Sequence, residues 1–112
     1  MDCLFCAIAH GEIPSKSVYE DDICYAFCDI NPQAPVHVLV VPKEHIGSVD
    51  EINETNAAVC AHIFSVIPKI AKKLGLGNGY RVISNCGPDA CQSVHHLHFH
   101  ILGGAKLADR MA

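Results

Sequence analysis

The stretch Ser93-Val-His-His-Leu-His-Phe-His100, SVHHLHFH, holds four of the chain's eight histidines. A β-strand sends alternate side chains to opposite faces. Read as a strand, the segment puts His96, His98 and His100 on one face and Leu97, Phe99 and Ile101 on the other, with His95 on the apolar side. One face is then core and the other a polar cleft. The fold must supply a sheet for this strand, and the row of imidazoles needs a use.

The flanking sequence supplies the sheet. VHVLVVP (36–42) is a strongly apolar strand that Pro42 ends. SVYEDD (17–22) and ICYAFCDI (23–30) read as a hairpin, and NPQAP (31–35) as a turn. Residues 3–10 suit a short helix broken by Gly11 and Pro14. Ser48 and Glu51 have the S-x-x-E capping spacing of a short helical turn. Val59, Ile63, Val66, Ile70 and Leu74 form an amphipathic stripe that predicts a long helix from Thr55 to Leu74, bent at Pro68 and capped by Gly75. GNGYRVISNCGPDACQS (77–93) gives a turn, a strand near 80–84 and a polar loop over 85–93. Five strands with one main helix after the third predict an antiparallel α+β sheet.

At 112 residues the chain reads as one domain over 1–112. Half its residues are hydrophobic and 18 % are charged, the composition of a globular protein. A net charge of −4 argues against coating nucleic acid or an anionic membrane. The start MDCLFCAIAHGEIP lacks the basic and apolar regions of a signal peptide, so a cytoplasmic location is expected. Seven cysteines, an odd number, do not suggest a disulfide framework. Cys3 and Cys6 have metal-ligand spacing. Cys24, Cys28, Cys60, Cys86 and Cys91 have none and read as small hydrophobes.

The histidine row has three readings. Histidines at i and i+2 could share a metal, but i and i+4 lie about 13 Å apart along a strand, too far for one ion to take all three. They could be satisfied surface or core residues. Or they could do nucleophilic chemistry, since imidazole is mostly neutral at pH 7 and attacks phosphorus without a strong base. Ser93, five residues before His98, could then hydrogen-bond a leaving group. This last combination suits phosphoryl or nucleotidyl transfer.

His96-Leu97-His98-Phe99-His100 resembles the signature of the histidine triad (HIT) superfamily. CDINPQAPVHVLVVPKEHI (28–46) resembles its second conserved block and CQSVHHLHFHILGG (91–104) its third. CLFCAIAHGEIPS (3–15) is similar to the N-terminal segment of bacterial members, and Gln92-Ser93-Val94 to the nucleotide-binding (Hint-like) branch. The resemblance implies a five-stranded antiparallel sheet with one long and one short helix. Two copies would form a homodimer with a ten-stranded sheet.

It further implies a hydrolase that cleaves purine nucleoside phosphoramidates to AMP or GMP and an amine, without a catalytic cofactor. His98 would attack the α-phosphate and form a nucleotidyl-histidine. The His96 carbonyl would fix its ring, His100 and His37 would complete the phosphate pocket, and Ser93 would assist the leaving group. Asp29 would accept the ribose hydroxyls, while Ile30, Phe5, Ile8 and Phe27 would wall the base. Asn85, Cys91, Gln92 and Ser93 would approach the phosphate side. Cys91 departs from the family, which usually has glycine there. The resemblance also supplies two partners for Cys3 and Cys6, namely His45 and His96, as ligands of a structural zinc. Close alternatives are a dinucleoside polyphosphate hydrolase, a nucleotide-binding scaffold with vestigial catalysis, and a zinc-dependent hydrolase.

Overall fold

The computed structural model describes residues 3–112. In chain order these form helix α1 (Leu4–Ala9), strands β1 (Ser17–Glu20), β2 (Cys24–Cys28) and β3 (Val36–Pro42), helix α2 (Ala57–Lys73), and strands β4 (Tyr80–Ile83) and β5 (Phe99–Gly103). The strands make one antiparallel sheet in the order β1-β2-β3-β5-β4. This is the expected α+β architecture.

The sheet is buried on both sides, by different means. Val18, Cys24, Ala26, Val38, Val40, Phe99 and Ile101 face α2, which lays Ile63, Val66, Ile67 and Ile70 on them. Fully buried isoleucines such as Ile63 and Ile70 each contribute about 1.5–3 kcal/mol of hydrophobic stabilisation. The other face presents Tyr25, Phe27, Leu39 and Val41 to Phe5, Ile8 and Ala9 of α1. That helix has six residues and cannot roof five strands. His37 and His100 share this partly covered face: His100 pairs directly with Leu39, and His37 lies two residues before Leu39 on β3.

α2 ends as the sequence predicts. Gly75 takes φ +74°, and the Gly75 and Leu76 N–H groups donate to the carbonyls of Lys72 and Ala71. Its start differs. Asn53, not Thr55, begins the turn: its Oδ1 accepts from the N–H groups of Thr55 and Asn56, and its carbonyl accepts from Ala57. Ser48 precedes a 3-10 turn, Val49–Glu51, but makes no side-chain cap. Glu51 is drawn instead to the exposed His95, 3.0 Å away.

The histidine segment is also less regular than expected. β5 begins only at Phe99, because its pairing with β3 stops at Val40–Phe99. Before that point the backbone donors turn elsewhere, Leu97 N–H to the Ile46 carbonyl and His96 N–H to that of Val94. Alternation therefore does not extend back to His95, which lies in solvent rather than on the apolar side with Leu97.

Candidate functional site

Each buried imidazole has one nitrogen fixed by a main-chain group, which settles where its proton sits. Nδ1–H of His98 donates to the His96 carbonyl at 2.7 Å, so in the neutral ring Nε2 carries the lone pair. That Nε2 has no hydrogen-bond partner among the described residues. No buried side-chain nitrogen or oxygen there lacks one, so it borders solvent. Ser84 Oγ–H donates to the His98 carbonyl at 2.9 Å and holds the main chain from the β4 side. The edge of Phe5 packs against the His98 ring, with centroids 5.0 Å apart.

His37 and His100 meet at 2.8 Å, Nε2 to Nδ1. The Asp29 carboxylate lies 3.5 Å from His37 Nε2. Burial lowers His37 below the usual imidazole range against the pull of Asp29. Burial, then the neighbouring His98 and His37, takes His100 down to about 4. Both rings are consequently neutral at pH 7, which suits hydrogen bonding to a phosphoryl group.

Of the residues assigned to the nucleotide, Asp29 approaches His37, Phe5 packs on His98 and Phe27 packs on Phe5. Asp29 Oδ1 accepts the Asn31 N–H and shapes the turn, while its Oδ2 faces His37. Ile30 is fully in solvent. Phe5 and Phe27 meet edge to face at 5.6 Å, and Ile8 is buried beside them. Ser93 is exposed and Asn85 half-buried. Gln92 spends its amide on the protein: Nε2–H donates to the Gly47 and Val94 carbonyls, and Oε1 accepts from Gly87 N–H. It thereby closes the loop that carries Ser93. Cys91 adopts φ 59°, ψ 39°, and among the described residues no other non-glycine residue has positive φ.

Cys3, Cys6, His45 and His96 bring four ligand atoms within 4.8 Å of one another. Cys3 Sγ lies 3.2 Å and Cys6 Sγ 3.4 Å from His96 Nδ1, and Cys6 Sγ lies 3.3 Å from His45 Nδ1. Tetrahedral zinc with its usual bond lengths separates sulfur and nitrogen ligands by about 3.6 Å. The donor chemistry fits as well. His96 Nε2–H donates to the Pro42 carbonyl at 2.9 Å, which leaves Nδ1 as a lone pair aimed at the thiols. Burial and the neighbouring Cys3 push the Cys6 thiol up to about 11, and a cation in the cluster would reverse that cost.

Three contributors were not visible in the sequence: Ser84, the Pro42 carbonyl and the Gln33 N–H, which reaches His37 Nδ1 at 3.0 Å. Two of the three act through main-chain atoms, which every residue possesses.

The family model of the HIT domain matches residues 10–107. A HIT-like protein of Synechococcus elongatus is 47% identical over 107 residues, covering 96% of this chain and 94% of its own. A 14 kDa zinc-binding protein of Zea mays is 44% identical, covering 93% of this chain and 83% of its own. Among solved structures, a histidine triad protein from Clostridium difficile is similar with a TM-score of 0.95 and 55% identity, covering 98% of this chain and 96% of its own. A HIT family hydrolase from Legionella pneumophila also gives 0.95, at 41% identity over 99% and 100%. A histidine triad nucleotide-binding protein from Candida albicans gives 0.82, at 35% identity over 99% and 87%.

Proposed function

The chain belongs to the HIT domain family, and on that premise we propose that it is a Hint-like hydrolase of purine nucleoside phosphoramidates. The hydrolase and the nucleotide-binding protein among its structural neighbours support a hydrolase acting on a nucleotide. The observation that carries the reading is the 2.7 Å bond from His98 Nδ1–H to the His96 carbonyl. In the neutral ring it leaves the lone pair on Nε2, the nitrogen that borders solvent, as a nucleophile requires.

In the first step His98 Nε2 attacks the α-phosphorus. A phosphorus–nitrogen bond to His98 forms, and the one to the leaving amine breaks. Ser93 hydroxyl hydrogen-bonds the departing nitrogen, which gains a proton from solvent. Positive charge on the His98 ring is stabilised through Nδ1–H by the His96 carbonyl. Water then attacks phosphorus, loses a proton and releases the nucleoside monophosphate, AMP or GMP, with His98 restored. Asp29 Oδ2 accepts the ribose hydroxyls, while Ile30, Phe5, Ile8 and Phe27 line the base. Residues 91–93 and Asn85 flank the phosphate.

Cys3, Cys6, His45 and His96 would hold a structural zinc. When bound it supplies a cross-link between the start of α1 and the segment before β5, and it orients His96 and so, through the chain, His98. The 112 residues act as one domain and pair as a homodimer. The exposed edge strand β4 and the half-exposed Phe64 on α2 would meet their counterparts and extend the sheet to ten strands. Seven free thiols suit a cytoplasmic protein.

The test is turnover of a fluorogenic adenosine phosphoramidate by the wild type and His98→Ala, with zinc measured in both. We expect the variant to lose at least about a thousandfold in rate while keeping its metal. Equal, slow turnover by both proteins would refute the enzyme and favour a nucleotide-binding scaffold. Faster turnover of a diadenosine polyphosphate would move the substrate to that class.

A further inference from the structure

The tautomers of His37 and His100 can be read from one unambiguous donor. A backbone amide only donates, so the 3.0 Å contact from Gln33 N–H makes His37 Nδ1 an acceptor. In the neutral ring the proton then sits on Nε2. Two neighbours agree with that placement, since His37 Nε2 lies 2.8 Å from His100 Nδ1 and 3.5 Å from the Asp29 carboxylate. His100 Nδ1 must in turn accept, which leaves its own proton on Nε2. That nitrogen, like the one on His98, has no hydrogen-bond partner among the described residues.

We propose that the main-chain N–H of Gln33 is a positioning group: through His37 it sets the tautomer of His100, so that His100 meets a bound phosphoryl oxygen as a hydrogen-bond donor. This rests on the reading of His98 as nucleophile. Adjacent rings, with centroids 5.1 Å apart, then present opposite characters, a lone pair on His98 to attack phosphorus and an N–H on His100 to bind its oxygen. In the other tautomer His100 would set a lone pair against that oxygen and repel it. Burial keeps both His37 and His100 neutral, so the direction of the chain, and not a positive charge, decides their behaviour. The turn is built to hold the amide in place. Asp29 Oδ1 accepts from Asn31 N–H and Asp29 N–H donates to the His37 carbonyl, closing the loop on both sides of Gln33.

The experiment is nitrogen-15 NMR of histidine-labelled, ligand-free, zinc-loaded protein, in which pyrrole-type and pyridine-type shifts report each ring proton directly. His37 and His100 should carry it on Nε2 and His98 on Nδ1. A His100 protonated on Nδ1 overturns the proposal. Gln33→Pro removes the amide proton, whereas Gln33→Ala keeps it and removes only the side chain. The proline variant should show mixed tautomers at His37 and His100 and a fall in kcat of about three- to tenfold, the worth of one hydrogen bond, with KM little changed. The alanine variant should keep the wild-type tautomers. If proline disturbs the fold, replacing the Gln33 amide by an ester makes the same deletion without a ring. Unchanged tautomers without the N–H refute the proposal. Wild-type tautomers as stated but no phosphoramidate turnover would remove the proposed function and leave the tautomer chain standing.

Discussion

His100 should make this protein lose stability in mild acid. Its folded pKa is about 4 against an ordinary 6.5. Between those values the unfolded chain binds a proton that the folded chain refuses, so stability falls as pH drops through the window and is intact above it. The full shift corresponds to about 3 kcal/mol, and the part lost between pH 7 and pH 4.5 is about 2.4 kcal/mol. Burial also holds His37 and His96 below the usual imidazole range, so the wild type alone does not isolate the effect. His100→Asn does, because an amide oxygen can still accept from His37 Nε2–H but takes up no proton. Urea denaturation at fixed ionic strength, followed by far-UV circular dichroism since the chain has no tryptophan, gives stability at each pH. The wild type should lose about 2 kcal/mol more than His100→Asn between pH 7 and 4.5. Curves that stay parallel to within about 0.5 kcal/mol would refute the claim that burial, rather than the Asp29 carboxylate, governs this ring.

Removing one thiol should release the metal. Purified wild type should carry one zinc per chain by elemental analysis and Cys6→Ser none, with a melting temperature lower by at least about 10 °C, or about 3 kcal/mol for a chain of this size; a variant that melts with the wild type would mean that the four residues hold no structural ion. At Cys91 the backbone sits in the left-handed region. Cys91→Gly should therefore raise stability by about 0.5–1 kcal/mol in the same urea titration, whereas a loss would show that the thiol packs usefully in the loop.

What was legible in the sequence had a side-chain signature. The 3.6-residue stripe from Val59 to Leu74 marked α2, and the apolar run 36–42 marked β3 almost to the residue. Cys3 and Cys6 showed in their spacing and His96, His98 and His100 in their alternation, whereas His37 and His45 were singled out only by the resemblance to the HIT superfamily. The start of β5 could not. It depends on where β3 stops offering partners and on the Ile46 carbonyl capturing Leu97 N–H, a contact between residues 51 positions apart. His95 was misplaced for the same reason, since two-residue alternation holds only as far as the ladder that enforces it.

The same division separates naming the imidazoles from knowing what each one offers. Sequence identifies four rings, but a neutral imidazole has two tautomers with opposite chemistry at the exposed nitrogen. Here three main-chain groups decide among them: the Pro42 carbonyl turns His96 Nδ1 toward the thiols, the His96 carbonyl turns His98 Nε2 toward solvent, and Gln33 N–H sets His37. The fold positions those groups through Pro42 ending β3, the irregular chain before Phe99 and the NPQAP turn. A departure from regular strand geometry at residues 93–98 is therefore part of the site. A straight β5 through all three histidines would bring its carbonyls to neighbouring strands and leave none at 2.7 Å from His98 Nδ1.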